Sequence, residues 1–399
     1  MKVKNILLTL AGIFLLSTVF YADDIHEFCK DSNLDLVESL EGLVDSFLGT
    51  ILDLLPYLLE HKFVDPALFG LYLKIGSKAN LTKILSYVVV TGYLNSILKS
   101  IYSLPRPFME YPDELEYAKC SYSLGAPSDY GMSGVVIYVT GYWLYIRDFQ
   151  TDLLSENAVR LLKKAYIFLA CFIIFGGCLS RVAMGLHSYD QIILGLLYGI
   201  FFQVFYIQVV DRYLDYVVKY LIVKRHTNRR FILYILIYSL IISLLLTTGI
   251  YLIKRTDPIY VEYYEIMAEI CDPHEWVFME NHYISSFKIV SLIAFYIGLT
   301  LLPHREPFDR IDSISKGILR FIIYWASVFG ISRLFPSEFT DNIWIEVFVI
   351  DLPYYFIIGI NAALIFPFLF KYIKLQSGND FLEEEYKDDQ IVLREDYVN

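Results

Sequence analysis

The chain has 399 residues, of which 56% are hydrophobic, 17% are aromatic and only 19% are charged. A typical soluble domain is about 45–50% apolar and about a quarter charged, so this composition exceeds what a soluble core requires. The net charge of −11 and the lack of a basic face argue against a nucleic-acid partner. The composition also excludes disordered, collagen-like and disulfide-dense chains. We therefore predict an all-α, polytopic helical membrane protein with the lipid bilayer as a partner.

The N-terminus has the pattern of a secretory signal. Lys2 and Lys4 precede an apolar run over 6–20, and the small residue Ala22 comes just before Asp23. We predict a signal peptide over 1–22. The alternative is a first transmembrane helix that stays uncleaved. In either case Asp23 starts on the lumenal or outer side of the membrane.

The apolar runs downstream predict about nine crossings after the signal. One crossing is expected to begin at Pro66 behind the cap residue Asp65, and the interrupted stretch 44–60 before it is predicted to be an interfacial helix. The other runs lie at 81–98, 132–146, 161–179, 191–210, 231–253, 287–303, 318–334 and 344–370.

These runs define a predicted organisation along the chain. After the signal come a lumenal segment with the interfacial helix at 23–62, a core of six crossings at 63–253, a lumenal loop at 254–286, three crossings at 287–374 and an acidic cytosolic tail at 375–399. The loops placed on the inner side carry about twice as many Lys and Arg residues as the outer segments, as the positive-inside rule requires.

Three cations run against that rule, because Lys99, Arg106 and Arg181 lie at the outer ends of crossings. An anion would justify positive charge there. The second crossing ends in Lys99-x6-Arg106-Pro107, the third begins after Pro127-Ser128-Asp129-Tyr130, and the fourth ends in Ser180-Arg181-x5-His187. All three segments are predicted on one face of the membrane.

This combination of residue types predicts a phosphate site. Arginine offers a two-pronged fork to phosphate and lysine adds a point charge, while Ser128 stands where a helix begins and free N–H groups bind anions. His187 can attack phosphorus through a neutral ring nitrogen and form a phosphohistidine. The cations would stabilise the transition state as Mg²⁺ does in kinases, so we expect neither a metal nor another cofactor.

At these residues the sequence resembles the type 2 phosphatidic acid phosphatase superfamily, whose motifs are K-x6-R-P, P-S-x-H and S-R-x5-H. Within it, the chain is most similar to the glucose-6-phosphatase family. The finer resemblance depends on nine crossings with a lumenal site, on Gln191 four residues after His187, and on the segment 271–277, which looks like the C-x-x-P-E-W-V of that family. The resemblance covers residues from about 44 to about 370.

The resemblance implies a role for each site residue. Lys99, Arg106 and Arg181 would bind the phosphate, Ser128 would hydrogen-bond it and His187 would be the nucleophile. Asp190 or Gln191 would orient His187.

The resemblance also implies a substrate and a compartment. The substrate would be glucose 6-phosphate or a related sugar phosphate, as in gluconeogenesis, hydrolysed on the lumenal side of the endoplasmic reticulum, and a sugar-phosphate transporter is a possible partner. The acidic tail lacks the C-terminal lysine cluster that many members use for retention in that organelle. The compartment is therefore left open between the endoplasmic reticulum and later membranes of the secretory pathway.

The chain departs from the family pattern at Tyr130, which stands where the family has its general-acid histidine. A phenol has an ordinary pKa near 10, so it can protonate a sugar alkoxide, but at neutral pH it is in the wrong form to activate water. Asp129 is an alternative proton carrier, as are the outer histidines His26, His61, His274 and His282. Two other functions therefore stay open, an impaired pseudophosphatase that binds a phosphorylated ligand and a lipid phosphate phosphatase.

Overall fold

The computed structural model is helical and has no strand in the part of the chain that it describes. The described residues are 2–44, 47–59, 64, 67–69, 78–112, 114–115, 121, 123–147, 155–215, 217, 229–254, 256–258, 262–263, 265–266, 269, 287–301, 314–335 and 343–373.

The helices are, in chain order, α1 (Lys2–Ser17), α2 (Ala22–Val44), α3 (Phe47–Leu54), α4 (Lys78–Tyr102), α5 (Pro107–Glu110), α6 (Asp129–Gly141), α7 (Glu156–Ala183), α8 (Tyr189–Phe205), α9 (Arg229–Lys254), α10 (Lys288–Leu301), α11 (Ile314–Leu334), α12 (Ile343–Ile345), α13 (Leu352–Ile360) and α14 (Phe366–Tyr372). A 3-10 turn (Leu55–Leu58) follows α3. Wider π turns continue α6, α8, α12 and α13, at Tyr142–Ile146, Tyr206–Val210, Glu346–Asp351 and Asn361–Ile365.

Six helical stretches among the described residues are long and apolar enough to cross a membrane, which confirms the predicted all-α membrane fold. They are Asn80–Glu110, Glu156–Ala183, Tyr189–Asp215, Arg230–Lys254, Ser315–Leu334 and Val347–Phe370. Leu8–Ser17 and Ala22–Leu40, bent by 73° at a break, make a seventh if they form one span.

The predicted count of nine crossings is not confirmed. The runs at 132–146 and 287–303 correspond to the shorter helices α6, with its π turn, and α10. The expected crossing that starts at Asp65 and Pro66 begins outside the described residues.

Close packing of α6 against α8 brings two helix N-termini together. A Cβ added at Gly195 would overlap the Ser128 carbonyl oxygen, and one added at Gly199 would lie 2.8 Å from the Met132 carbonyl oxygen. Only a residue without a side chain permits this approach of the two backbones. The pair therefore places Ser128, just before α6, beside the first turn of α8.

The N-terminal helix α1 packs along α8. The Tyr198 hydroxyl donates to the Leu15 carbonyl at 3.1 Å and lies 3.0 Å from the Tyr102 hydroxyl, which is 2.6 Å from Thr18 Oγ1. The full chain thus includes α1 in the helix bundle. Removal of residues 1–22 as a signal peptide stays a prediction.

The other end of α4 is tied to the helical continuation of α8 by ion pairs between one buried lysine and two partly exposed carboxylates. Lys83, only 5% exposed, lies 3.0 Å from an Asp211 oxygen and 2.7 Å from an Asp215 oxygen. Tyr87 also donates to Asp211 at 2.9 Å. Because α4 is held at this end, its opposite end, which carries Lys99, is set relative to the start of α8.

Candidate phosphate site

The ends of α4 and α7 and the starts of α6 and α8 meet at one end of the bundle, where they gather the residues predicted for the phosphate site. Ser123, in the segment before α6, links two of the cations. Its Oγ lies 3.4 Å from Lys99 Nζ and 2.6 Å from Arg106 Nη2. Lys99 also donates to the Leu124 carbonyl at 3.0 Å. Lys99 and Arg106 therefore share one side of the site, as the Lys-x6-Arg-Pro spacing predicted.

Arg106 connects this side of the site to the nucleophile candidate. Its Nε donates to the Ser123 carbonyl and its Nη1 donates to the Leu186 carbonyl. Nη1 also lies 3.2 Å from Nε2 of His187. With the Nη2 bond to Ser123 Oγ, four of the five guanidinium N–H groups have partners among the described residues. The second N–H group on Nη2 has none among them.

The protonation of His187 follows from its two neighbours. Nδ1 lies 3.3 Å from Oε1 of Gln191, while Nε2 of Gln191 donates to the Pro105 carbonyl at 2.6 Å. The amide oxygen thus faces the ring and must accept from Nδ1–H, and an arginine N–H facing Nε2 requires a lone pair there. The geometry assigns the neutral Nδ1–H tautomer, with a nucleophilic lone pair on Nε2.

The surroundings of His187 favour the same neutral form. The side chain is fully buried. Burial, followed by the positive charges of Arg106 and Lys99, lowers the pKa of His187 well below its ordinary value of 6.5, and the hydrogen bond to Gln191 opposes this shift only in part. The imidazole therefore stays uncharged at neutral pH, as a nucleophile must.

The two predicted orienting residues have different partners. Gln191 contacts His187 and also accepts from the Ser188 N–H at 3.3 Å, which caps the first turn of α8. The Asp190 carboxylate instead bonds His26 at 2.9 Å and Asn33 at 2.9 Å. Gln191 is therefore the residue in contact with the imidazole.

Tyr130 lies between the nucleophile candidate and the third cation. Its ring meets the His187 ring edge-to-face, with 5.9 Å between centroids, and the Arg181 guanidinium carbon lies 4.5 Å from the Tyr130 centroid. Such a cation–π contact holds a guanidinium in place without neutralising its charge. Asp129, the residue before Tyr130, accepts a hydrogen bond from Ser133 at 2.8 Å.

Ser128 sits at the N-cap of α6 and is fully buried. Its backbone N–H donates to the Gln191 carbonyl at 3.0 Å, while its side-chain oxygen has no hydrogen-bond partner among the described residues. Nε of Arg181 is likewise buried and without a partner in the described part of the chain. Buried polar atoms normally have partners, so both groups are available to a ligand.

The three cations are buried without direct ion pairs among the described residues, although the Asp129 carboxylate acts on Lys99 and Arg106 at longer range. Lys99, Arg106 and Arg181 are 6%, 3% and 8% exposed, and none of them forms a salt bridge with a described residue. Burying unpaired charge costs several kcal/mol per ion. A bound anion with several oxygens would offset that cost, and phosphate matches it in charge and in number of acceptors.

Two residues in and beside this cluster were not assigned by the sequence. Ser123 is a loop serine with no motif around it, so no sequence signal marks it. His26 was foreseen only as one of four histidines able to reach the site, and its carboxylate partners were not foreseen. His61, His274 and His282, like the segment 271–277, lie outside the described residues.

Comparison with known proteins gives one finding. No curated protein and no solved structure gives a significant match to the chain. A family model does match, over a stretch that contains every residue predicted for the site, from Lys99 to Gln191. Residues 80–215 of this membrane protein match the PAP2 superfamily.

Proposed function

We propose that the protein is a membrane phosphatase that hydrolyses a phosphomonoester through a phosphohistidine on His187. One observation carries the proposal. Three buried cations that form no ion pair with a described residue surround a neutral histidine whose Nε2 lone pair is directed into the cluster. The match of residues 80–215 to the PAP2 superfamily supports a phosphatase-type activity.

In the first step, Nε2 of His187 attacks phosphorus, so that an N–P bond forms while the bond from phosphorus to the leaving oxygen breaks. The Arg106 N–H that faces Nε2 at 3.2 Å loses its acceptor as the lone pair is used, and it passes to a phosphate oxygen. Lys99, Arg181 and the Ser128 hydroxyl stabilise the charge on the remaining oxygens.

The proton for the leaving alkoxide comes from Tyr130 in this mechanism, because its ring packs against His187. Asp129 is the alternative donor. Proton donation turns Tyr130 into a phenolate, which is the form needed in the second step. Water then attacks phosphorus, the phenolate takes the water proton, and the N–P bond breaks to release phosphate and restore both residues.

For the substrate we propose glucose 6-phosphate or a related sugar phosphate, hydrolysed at a lumenal site. Support comes from Gln191, which resembles the glucose-6-phosphatase pattern at that position and bonds Nδ1 of His187. A lipid phosphate fits the superfamily match equally well, so both substrate classes belong in the test. A sugar-phosphate transporter and a location in the endoplasmic reticulum are part of the same proposal.

The test is phosphate release by the purified protein in detergent or nanodiscs, from glucose 6-phosphate and from a lysophosphatidic acid. Wild type is compared with His187→Ala and with Cys171→Ala, an exposed site on α7. We expect release by wild type and by Cys171→Ala, and none by His187→Ala. Turnover by His187→Ala, or none by wild type, would refute a phosphohistidine enzyme.

The location of the site is measured separately, in sealed microsomes. A lumenal site predicts that turnover of a substrate that does not cross the membrane rises on permeabilisation. Full turnover in intact vesicles would place the site on the cytosolic side.

A further inference from the structure

A buried histidine outside the family-matched stretch lies between two carboxylates beside the site. His26, on α2, is only 5% exposed. Its Nδ1 lies 2.9 Å from an Asp190 oxygen, and its Nε2 lies 3.0 and 3.1 Å from the two Glu110 oxygens. The mechanism above makes no use of this residue.

The geometry fixes the charge of His26. A neutral imidazole carries one N–H, which would leave the other nitrogen's lone pair facing a carboxylate oxygen. Both ring nitrogens of His26 face carboxylate oxygens at hydrogen-bond distance, so both donate. His26 is therefore an imidazolium that bridges Glu110 and Asp190.

The two carboxylates belong to the two segments that carry the chemistry. Glu110 ends α5, and its backbone N–H donates to the Arg106 carbonyl at 3.3 Å. Asp190 is in the first turn of α8, three residues after His187. The bridge thus joins the segment of the phosphate-binding Arg106 to the segment of the nucleophile His187, whose side chains are 3.2 Å apart.

Helix α2 is built to hold this bridge. Asn33 lies seven residues after His26, on the same helical face, and is 3% exposed. Its side chain donates to the second Asp190 oxygen at 2.9 Å and accepts from the Tyr189 N–H at 3.1 Å. Both Asp190 oxygens are therefore occupied by residues of α2, and Asn33 also satisfies a free N–H at the start of α8.

We propose that His26 is a positioning residue of the phosphatase site. Its imidazolium fixes Glu110 to Asp190, which sets Nε2 of His187 relative to the Arg106 guanidinium. This role rests on the proposed function and makes α2 part of the working site. Displacement of a reacting group by about 1 Å can cost on the order of 10²-fold in rate, so loss of the bridge should lower kcat more than it raises KM.

The experiment compares His26→Gln with wild type in the phosphate-release assay. Glutamine keeps a donor for one carboxylate but cannot bridge two. We expect kcat to fall about 10- to 100-fold with a KM change of less than about threefold, in protein whose elution in detergent matches wild type. The control is Glu27→Gln, at the neighbouring exposed position on α2, which should keep wild-type kcat.

A second variant separates geometry from charge balance. His26→Gln combined with Glu110→Leu removes the cation together with one anion and leaves no group at position 110 to bond the new amide, so a purely electrostatic role predicts recovery of kcat. The bridging role predicts that kcat stays low. Recovery in the double variant, or wild-type kcat in His26→Gln, would overturn the proposal.

Two further measurements cover the remaining outcomes. If His26→Gln does not fold, Asn33→Ala removes the neighbouring support of Asp190 and should lower kcat in the same direction; unchanged kcat there counts against the proposal. If wild type releases no phosphate, the proposed function fails. The role of the bridge is then tested by measuring the affinity of wild type and His26→Gln for orthovanadate. Weaker binding of about tenfold in His26→Gln supports positioning, and equal binding or none by wild type refutes it.

Discussion

Nη1 of Arg106 lies 3.2 Å from Nε2 of His187, with Gln191 on the opposite edge of the ring at 3.3 Å from Nδ1. In the proposed mechanism, the arginine N–H that stabilises the phosphoryl group therefore contacts, in the resting site, the lone pair that attacks phosphorus. This contact holds the nucleophile in one tautomer, and its N–H becomes free for the phosphate only when Nε2 bonds to phosphorus. A hydrogen bond exchanged in this way stabilises the transition state more than the resting site.

Gln191 should control both the orientation and the acidity of His187. Gln191→Leu removes the acceptor for Nδ1–H, and we expect kcat to fall about 10- to 100-fold because the ring is no longer held for attack. Gln191→Glu places a negative charge beside Nδ1, which stabilises the imidazolium, so the pKa of His187 should rise and the acidic limb of kcat/KM should move to higher pH.

The matched control for these variants is Gln208→Glu, at an exposed position in the π turn after α8. Its pH–rate profile should superimpose on that of wild type. An unchanged profile for Gln191→Glu would contradict the assigned contact with Nδ1.

The pH dependence should reflect the low pKa of His187. Burial and the charges of Arg106 and Lys99 lower it well below 6.5, so the nucleophile stays neutral and kcat/KM should show no loss from His187 protonation between about pH 7 and 6.5. Below pH 6.5, His187 is protonated in the unfolded chain but stays neutral in the folded chain. The free energy of unfolding therefore decreases with decreasing pH until the pKa of His187 in the folded state is reached. Thermal midpoints of wild type and His187→Ala across pH 4–8 measure this difference. A slope that is the same in both proteins would contradict the shift.

Tyr130 can be tested by separating its proton from its ring. Tyr130→Phe keeps the edge-to-face contact with His187 and the cation–π contact with Arg181 but removes the hydroxyl, so we expect kcat to fall about 10²- to 10⁴-fold, the typical effect of a general acid–base group. Tyr130→His introduces the histidine of the motif that the sequence resembles.

The comparison of these variants under single-turnover conditions distinguishes enzyme from pseudophosphatase. Activity only in Tyr130→His means that the natural protein is impaired. Wild-type rates in Tyr130→Phe would shift the proton transfer to Asp129, which Asp129→Asn would then test.

Gly195 should tolerate no side chain. A Cβ at this position would overlap the Ser128 carbonyl oxygen and lie 3.1 Å from the Ser128 nitrogen. Gly195→Ala should therefore cost about 1–3 kcal/mol of stability and displace Ser128 from the first turn of α8, with loss of activity in the folded fraction. Gly249→Ala is the control, since a Cβ there meets nothing within 4 Å and alanine is favoured in a helix by about 0.5–1 kcal/mol. The measurements are the thermal unfolding midpoint and the rate of phosphate release of the two variants. Equal stability of both would show that α6 and α8 can separate at no cost.

Much of the site could be read from the sequence because its motifs are local. The Lys-x6-Arg-Pro spacing places two cations at the end of one helix, and Ser-Arg-x5-His places a cation and a histidine around one helix-to-helix turn. The membrane character followed in the same way from composition and from the length of apolar runs. The number of crossings was harder to predict, because α10 is apolar but, with 14 residues, shorter than a full span.

The sequence by itself determined that this is a helical membrane protein and which residues make up the cluster of cations around a histidine, because periodicity and short spacings act within single helices. The tertiary structure decided which groups meet. It brought Gln191 rather than Asp190 to His187, placed Ser123 between two cations, and joined His26 to Glu110 and Asp190, residues 84 and 164 positions away. Contacts over such separations depend on how helices pack, and that packing is set by glycines and buried polar pairs whose partners no local pattern identifies.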